Sequence, residues 1–141
     1  MKKLILIVAL AAVCAVAVWL VRRPDPRPDL SVETRAVLTK LGAGDATTVY
    51  AEASPLFRDA VEPERLAGIA ASMKTTLGRF VDLGPITEAG VVESATGVSA
   101  RIVRSLEFEH ATVVGEVSFH KVGGVWLLLG FHIPIPPVPA P

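Results

Sequence analysis

The segment "VSARIVRSLEFEHATVVGEVSFHKVGGVWLLLGFHI" (98–133) decides the fold, because its apolar residues recur at every second position. Val98, Ala100, Ile102, Leu106 and Phe108 share one parity, with Arg104 among them. Ala111, Val113, Gly115, Val117 and Phe119 form the next set, and Val125, Leu127, Leu129, Phe131 and Ile133 the last. A two-residue period is that of strands with one buried face. Three antiparallel strands are therefore expected here, with a weaker one between residues 85 and 93. A one-residue slip would turn an apolar face outward, so parity fixes the register. Pairing Phe108 with Ala111 sets Arg104 opposite Gly115 and Ala100 opposite Phe119. A three-residue loop, 122–124, then sets Lys121 opposite Val125, Phe119 opposite Leu127 and Gly115 opposite Phe131. Its glycines supply the left-handed backbone that such a loop needs.

Upstream, residues 30–80 follow a helical period. Asp29 or Ser31 is placed to cap a helix carrying Leu30, Val37 or Leu38, and Leu41, which "GAG" at 42–44 ends. Asp45 caps a short helix with Val49, Tyr50 and Ala53. A "SP" turn at 54–55 precedes Leu56 and Phe57. Pro63 opens a last helix, with Leu66, Ile69, Ala70, Met73 and Leu77 on one face and Gly78 closing it. Helices followed by a curved four-stranded antiparallel meander make an α+β domain over residues 30–133.

The flanks have another character. "LILIVALAAVCAVAVWLV" (4–21) is eighteen residues without a charge, bracketed by Lys2-Lys3 and Arg22-Arg23. As a helix it spans roughly 27 Å, close to a bilayer core of about 30 Å. Residues 1–23 are thus a signal-anchor or signal peptide. Three readings compete: an uncleaved transmembrane anchor, a signal peptide cut near Ala15-Val16-Ala17, and a lipoprotein using Cys14, where the branched Val13 is a poor fit. Lys2 and Lys3 against Arg22, Arg23 and Arg27 mildly favour a cytoplasmic C-terminal side. The short basic start before an apolar run favours export in a bacterium and an inner-membrane anchor with an extracytoplasmic domain; the alternative is a secreted, periplasmic product of cleavage. Residues 24–29 form a proline-rich spacer, extended and stiff. Residues 134–141, "PIPPVPAP", cannot enter a sheet interior and read as a disordered tail.

Charge and cysteine content exclude several functions. Four of the 14 basic residues precede position 24 and all 14 acids follow it, so residues 24–141 carry −4. With no basic stripe, nucleic acid is not an expected partner. The single cysteine lies in the apolar run, which removes internal disulfides and thiolate metal sites from the domain. In the register above His120 faces Trp126 and His132 faces Val114, six residues apart along the sheet or roughly 20 Å. Ligands of one zinc ion both lie within about 2.1 Å of it, so no shared metal is expected. Both rings are expected on the exposed face, away from Phe119 and Phe131. No cofactor motif occurs: "LGAGDATT" lacks the Lys-Ser/Thr pair of a phosphate loop.

Two residues remain as ligand-binding candidates. Arg104 breaks the apolar pattern opposite Gly115, whose missing side chain leaves room. A buried guanidinium needs an acid, a carbonyl or a bound anion. Rim exposure, a bulge, or a pair with Glu88, Asp82 or Asp59 are the structural alternatives. Tyr50, the only tyrosine, lies where a helix covers the sheet and needs a partner for its hydroxyl. For contacts with a second copy or an envelope protein, the candidate interface is the outer sheet face with Val103, Val114, Trp126 and Leu128.

The stretch "LTKLGAGDATTVYAEASPLFRDAVEPERLAGIAASMKTTLGRF" (38–80) resembles the helical half of nuclear transport factor 2-like (cystatin-like) domains. "LEFEHATVVGEVSFHKVGGVWLLLGFHI" (106–133) is similar to their final hairpin, and the chain looks most like small bacterial secreted or anchored members. The resemblance covers about 100 residues through structural motifs. It implies a cone-like domain, often dimeric through its sheet, with a pocket between helices and concave face. Relatives of the ketosteroid isomerase kind use a pocket Tyr and Asp. Tyr50 and Asp82 do not align with those roles, so no catalytic residue carries over. The sequence thus points to a membrane-tethered, non-catalytic extracytoplasmic module. The alternative is a binder of a small apolar or anionic ligand, or an isomerase-like enzyme, using Arg104 and Tyr50.

Overall fold

Three side chains punctuate the helical half. Asp45 Oδ1 accepts from the Thr48 N–H at 3.2 Å and Ser54 Oγ accepts from the Leu56 N–H at 3.3 Å, each filling an orphan donor at a helix start. Pro63 begins the last helix, where its missing N–H costs nothing. The computed structural model describes residues 30–136. Within them lie α1 (Ser31–Gly42), α2 (Ala46–Glu52), α3 (Pro55–Ala60) and α4 (Pro63–Thr76), then β1 (Phe80–Ser94), β2 (Gly97–Phe108), β3 (Thr112–Val122) and β4 (Val125–His132). The turn expected after Ser54 is a short helix. Of the two caps expected for α1, Asp29 lies outside the described residues and Ser31 is already helical; Leu30 occupies the N-cap and makes no side-chain bond. Among the described residues no helix is long and apolar enough to cross a membrane. The 4–21 segment, the 24–29 spacer and the tail beyond 136 lie outside the described residues.

The strands form one antiparallel sheet in the order β1-β2-β3-β4. The β2–β3 register is the one parity demands, with Ala100 opposite Phe119, Arg104 opposite Gly115 and Leu106 opposite Val113. The β1 strand is longer than expected, at 15 residues, and takes register shifts between Phe80 and Glu88, around Gly84-Pro85. Proline and bulges suit an edge strand, which needs no ladder bond on its outer side.

The last hairpin departs from the expected register. Gly123 and Gly124, at φ 57° and 79°, alone form the turn, so Val122 faces Val125 and His120 faces Leu127. Two consecutive left-handed residues fit the tightest hairpin turn, which wins over the three-residue loop. That turn carries Leu128, opposite Phe119, into the core at 3 % exposure, in place of Leu127 and Leu129. Farther on, Ser118 faces Gly130, so Leu129 is the extra residue of a bulge and Phe131 returns opposite Val117.

The core joins both halves. Leu38, Leu41, Val49, Phe57, Leu66, Ala70, Met73 and Leu77 from the helices meet Ala100, Ile102, Leu106, Phe108, Val117, Phe119, Leu128 and Ile133. Phe57 stacks on Phe131 at 6.4 Å, and Phe80 meets Phe108 edge-on at 5.7 Å. Helix α1 ends hard against β1: a Cβ on Gly42 would stand 2.9 Å from the Phe80 backbone nitrogen. Packing continues past the last strand, since Ile135 also lies against the core.

Candidate functional site

Arg104 points into the protein from β2 and is 8 % exposed. Its guanidinium donates twice to the Gly84 carbonyl, from Nε at 3.0 Å and Nη2 at 2.6 Å, and Nη1 donates to Ser31 Oγ at 3.4 Å. The Gly84 carbonyl belongs to the shifted part of β1, and Ser31 begins α1. None of the expected acids, Glu88, Asp82 or Asp59, forms a salt bridge with it among the described residues. Nor is the space above Gly115 a guanidinium slot, since a Cβ there would meet Leu106 Cδ1 at 2.6 Å and Ile133 Cγ1 at 3.4 Å. Arg104 therefore fastens β2 to β1 and to the first turn of α1, through a donor set matched to carbonyl and hydroxyl oxygens. Tyr50 is half-buried and donates its hydroxyl to the Arg58 carbonyl at 3.1 Å, linking α2 to α3.

The histidines differ from expectation. His132 is exposed and faces Glu116 instead of Val114. His120 is half-buried: its Nδ1 lies 3.2 Å from Ser54 Oγ and its Nε2 2.9 Å from the Thr96 carbonyl. A carbonyl only accepts, so Nε2 carries the proton and Nδ1 of the neutral ring accepts from Ser54. Ser54 reaches this place because its N–H donates to the Leu128 carbonyl at 2.9 Å, holding the α2–α3 junction against β4. His120 and His132 are separated by the four β3 steps from Glu116 to His120, roughly 13 Å instead of 20. They do not converge on one ion, and no metal-binding cluster of His, Cys, Asp or Glu occurs among the described residues. A serine hydroxyl on a histidine nitrogen is the geometry of an activated nucleophile. Ser54, however, is 0 % exposed and its oxygen also caps α3. The sequence signal was the helix-start pair Ser54-Pro55; nothing in it pointed to His120.

The candidate interface is taken apart by the β4 register. Leu128 is core, and Trp126 packs against the core on the helix side, where Lys121 Nζ lies 5.7 Å from its ring centroid. Val114 is 55 % exposed and Val103 half-buried. Their face is mostly polar: Glu88, Val103, Glu116 and His132 lie in one row across the four strands. Arg101 bridges the row, to Glu88 at 3.1 Å and Glu116 at 2.6 Å. The Glu116 carboxylate, above all, raises the Arg101 pKa. Apolar exposure concentrates instead on β1, at Val81, Ile86, Val91 and Val92.

A groove of about 280 Å³ opens between α1, α2 and β4. Val37, Val49, Trp126, Leu127 and Leu128 supply its apolar walls, and Glu33, Lys40 and Glu52 its charges. Lys40 Nζ is paired with Glu52. Neither Arg104 nor Tyr50 lines it. Glu33 Oε2 is buried and has no hydrogen-bond partner among the described residues. In comparisons with known proteins, no family model and no curated protein matches the chain.

Proposed function

We propose that the protein is a membrane-tethered, extracytoplasmic module without catalytic activity, working through contacts with other proteins. The observation that carries the non-catalytic part is the engagement of Arg104, Tyr50, Ser54 and His120. Each of these chemically capable groups bonds another element of the fold. A ligand binder or isomerase-like enzyme built on Arg104 and Tyr50 fits less well, because both groups hold backbone oxygens. For the contact surface, the long β1 edge with its exposed valines and Ile86 takes the place of the outer sheet face. The order of helices and then a four-stranded antiparallel sheet is compatible with kinship to nuclear transport factor 2-like domains, which we also propose.

Tethering is supported by the uncharged 4–21 segment and its basic flanks. Its test is cysteine accessibility in bacterial spheroplasts expressing the full chain with Ala95→Cys, in the exposed β1–β2 turn. A membrane-impermeant maleimide should label the protein without lysis, and the labelled protein should stay in carbonate-washed membranes. Labelling only after lysis, or recovery in the soluble fraction, would refute the tethered, extracytoplasmic placement.

A further inference from the structure

The two edges of the sheet differ. At β4 the Leu128 carbonyl accepts from the Ser54 N–H at 2.9 Å, which seats the α2–α3 junction against that strand, and the bulge at Leu129 interrupts it further. At β1 the stretch up to Pro85 is irregular in register, and α1 ends beside Phe80. Beyond Pro85, residues 86–94 pair with β2 on one side and with no described strand on the other. All of them except Ala89 are exposed, Ile86, Val91 and Val92 included. Neither proline nor lysine blunts this stretch. An unpaired edge of this length, roughly 30 Å, is a template for another strand.

We propose that β1 pairs antiparallel with β1 of a second copy about a two-fold axis at Gly90, so that two sheets become one. With β4 engaged by the α2–α3 junction, the strand edge that this fold offers to β1 is β1 itself, and two-fold pairing closes the assembly at two copies. Charge fits the occupant. Residues of equal parity meet across such an axis, whereas Glu88 and Glu93 differ in parity, so no two-fold register sets one against the other. With the axis at Gly90, Glu88 meets Val92, Glu93 meets Thr87 and Val91 meets Ala89. Gly90 stands opposite Arg101 and bears no side chain. The second copy's Glu88 therefore approaches Arg101 with only the bare face of Gly90 between them. The inference rests on the protein-contact reading above and names its partner, but its test is blind to where the domain sits in the cell, so the two can fail separately.

The test is cross-linking of the full chain in detergent, with Cys14→Ala removing the only native cysteine. Gly90→Cys has room, since a Cβ there meets nothing within 4 Å. On the axis the two Cα atoms stand about 4.5–5.5 Å apart, inside the range that a disulfide spans. Mild oxidation should therefore convert the Gly90→Cys protein to a disulfide-linked dimer. Glu93→Cys, opposite residue 87 of the second copy and so roughly 20 Å from its own counterpart, should stay monomeric. In the Gly90→Cys background, Val92→Glu sets like charges face to face at both ends of the pairing and should slow cross-linking about fivefold. Val92 is exposed, so the circular dichroism spectrum should be retained. No dimer at position 90, equal cross-linking at 90 and 93, or a rate indifferent to Val92→Glu would overturn the proposal. Should Val92→Glu fail to fold, the comparison of positions 90 and 93 decides.

Discussion

Thr34 is 1 % exposed, and its hydroxyl has no hydrogen-bond partner among the described residues. A buried polar atom left unmet costs about 1–3 kcal/mol, whereas valine has nearly the same shape and no such demand. Thr34→Val is therefore expected to raise stability by about 1 kcal/mol, read as a higher denaturation midpoint; a lower midpoint would show that the hydroxyl has a partner. Gly42 is the opposite case. Alanine favours a helix, but its Cβ would press on the Phe80 backbone nitrogen, which cannot swing aside. Gly42→Ala should cost about 1–3 kcal/mol, as overpacking does, and a gain in thermal stability would contradict the contact. The sequence made Gly42 legible as a helix stop through "GAG". That the residue is also a contact between α1 and β1 was not legible, because nothing local to 42–44 records which strand comes near.

At the scale of elements, strand existence and the β2–β3 register were readable because parity and burial agree there. The β4 register was not. Leu127, Leu128 and Leu129 are chemically interchangeable, so a run of three leucines gives parity nothing to grip. The two-glycine turn and the bulge at Leu129 then decide between them. The contact between α1 and β1 carries its own signature. Asp82 accepts from Arg35 Nη2 at 2.8 Å and from the Leu83 N–H at 2.8 Å. The Arg35 hydrogen bond first, then the Leu83 N–H and the Arg35 charge, hold the Asp82 carboxyl below its usual pKa. A depressed folded-state pKa contributes stability that is present above the unfolded value, about pH 4, and is lost as pH falls through the lower folded value. Asp82→Asn should accordingly flatten the acid side of the pH–stability curve and change little in the dependence above pH 5. An acid limb identical to that of the parent protein would remove Asp82 from this role.

Across the whole molecule, the helices and the sheet were each foreseeable, but the ties between them were not. Alternation marks Arg104 as inward and demanding. Only the shifted backbone of β1 reveals that Gly84 meets the demand, because a carbonyl acceptor has no signature in sequence. Parity places His120 outdoors; its ring instead clamps the α2–α3 junction to the β1–β2 turn, since Ser54 is drawn to β4 by the Leu128 carbonyl. The candidate site thus dissolves into fastenings between layers, and the groove at Trp126 emerges from the β4 register that parity missed. The most direct measurement of this arrangement is equilibrium unfolding of Arg104→Met in guanidinium chloride. Methionine keeps the apolar stem and removes every donor to Gly84 and Ser31. A fall in stability of about 1–3 kcal/mol with an unchanged slope is expected for a residue that joins three elements; an unchanged midpoint would mean that Arg104 is kept for something other than holding the fold.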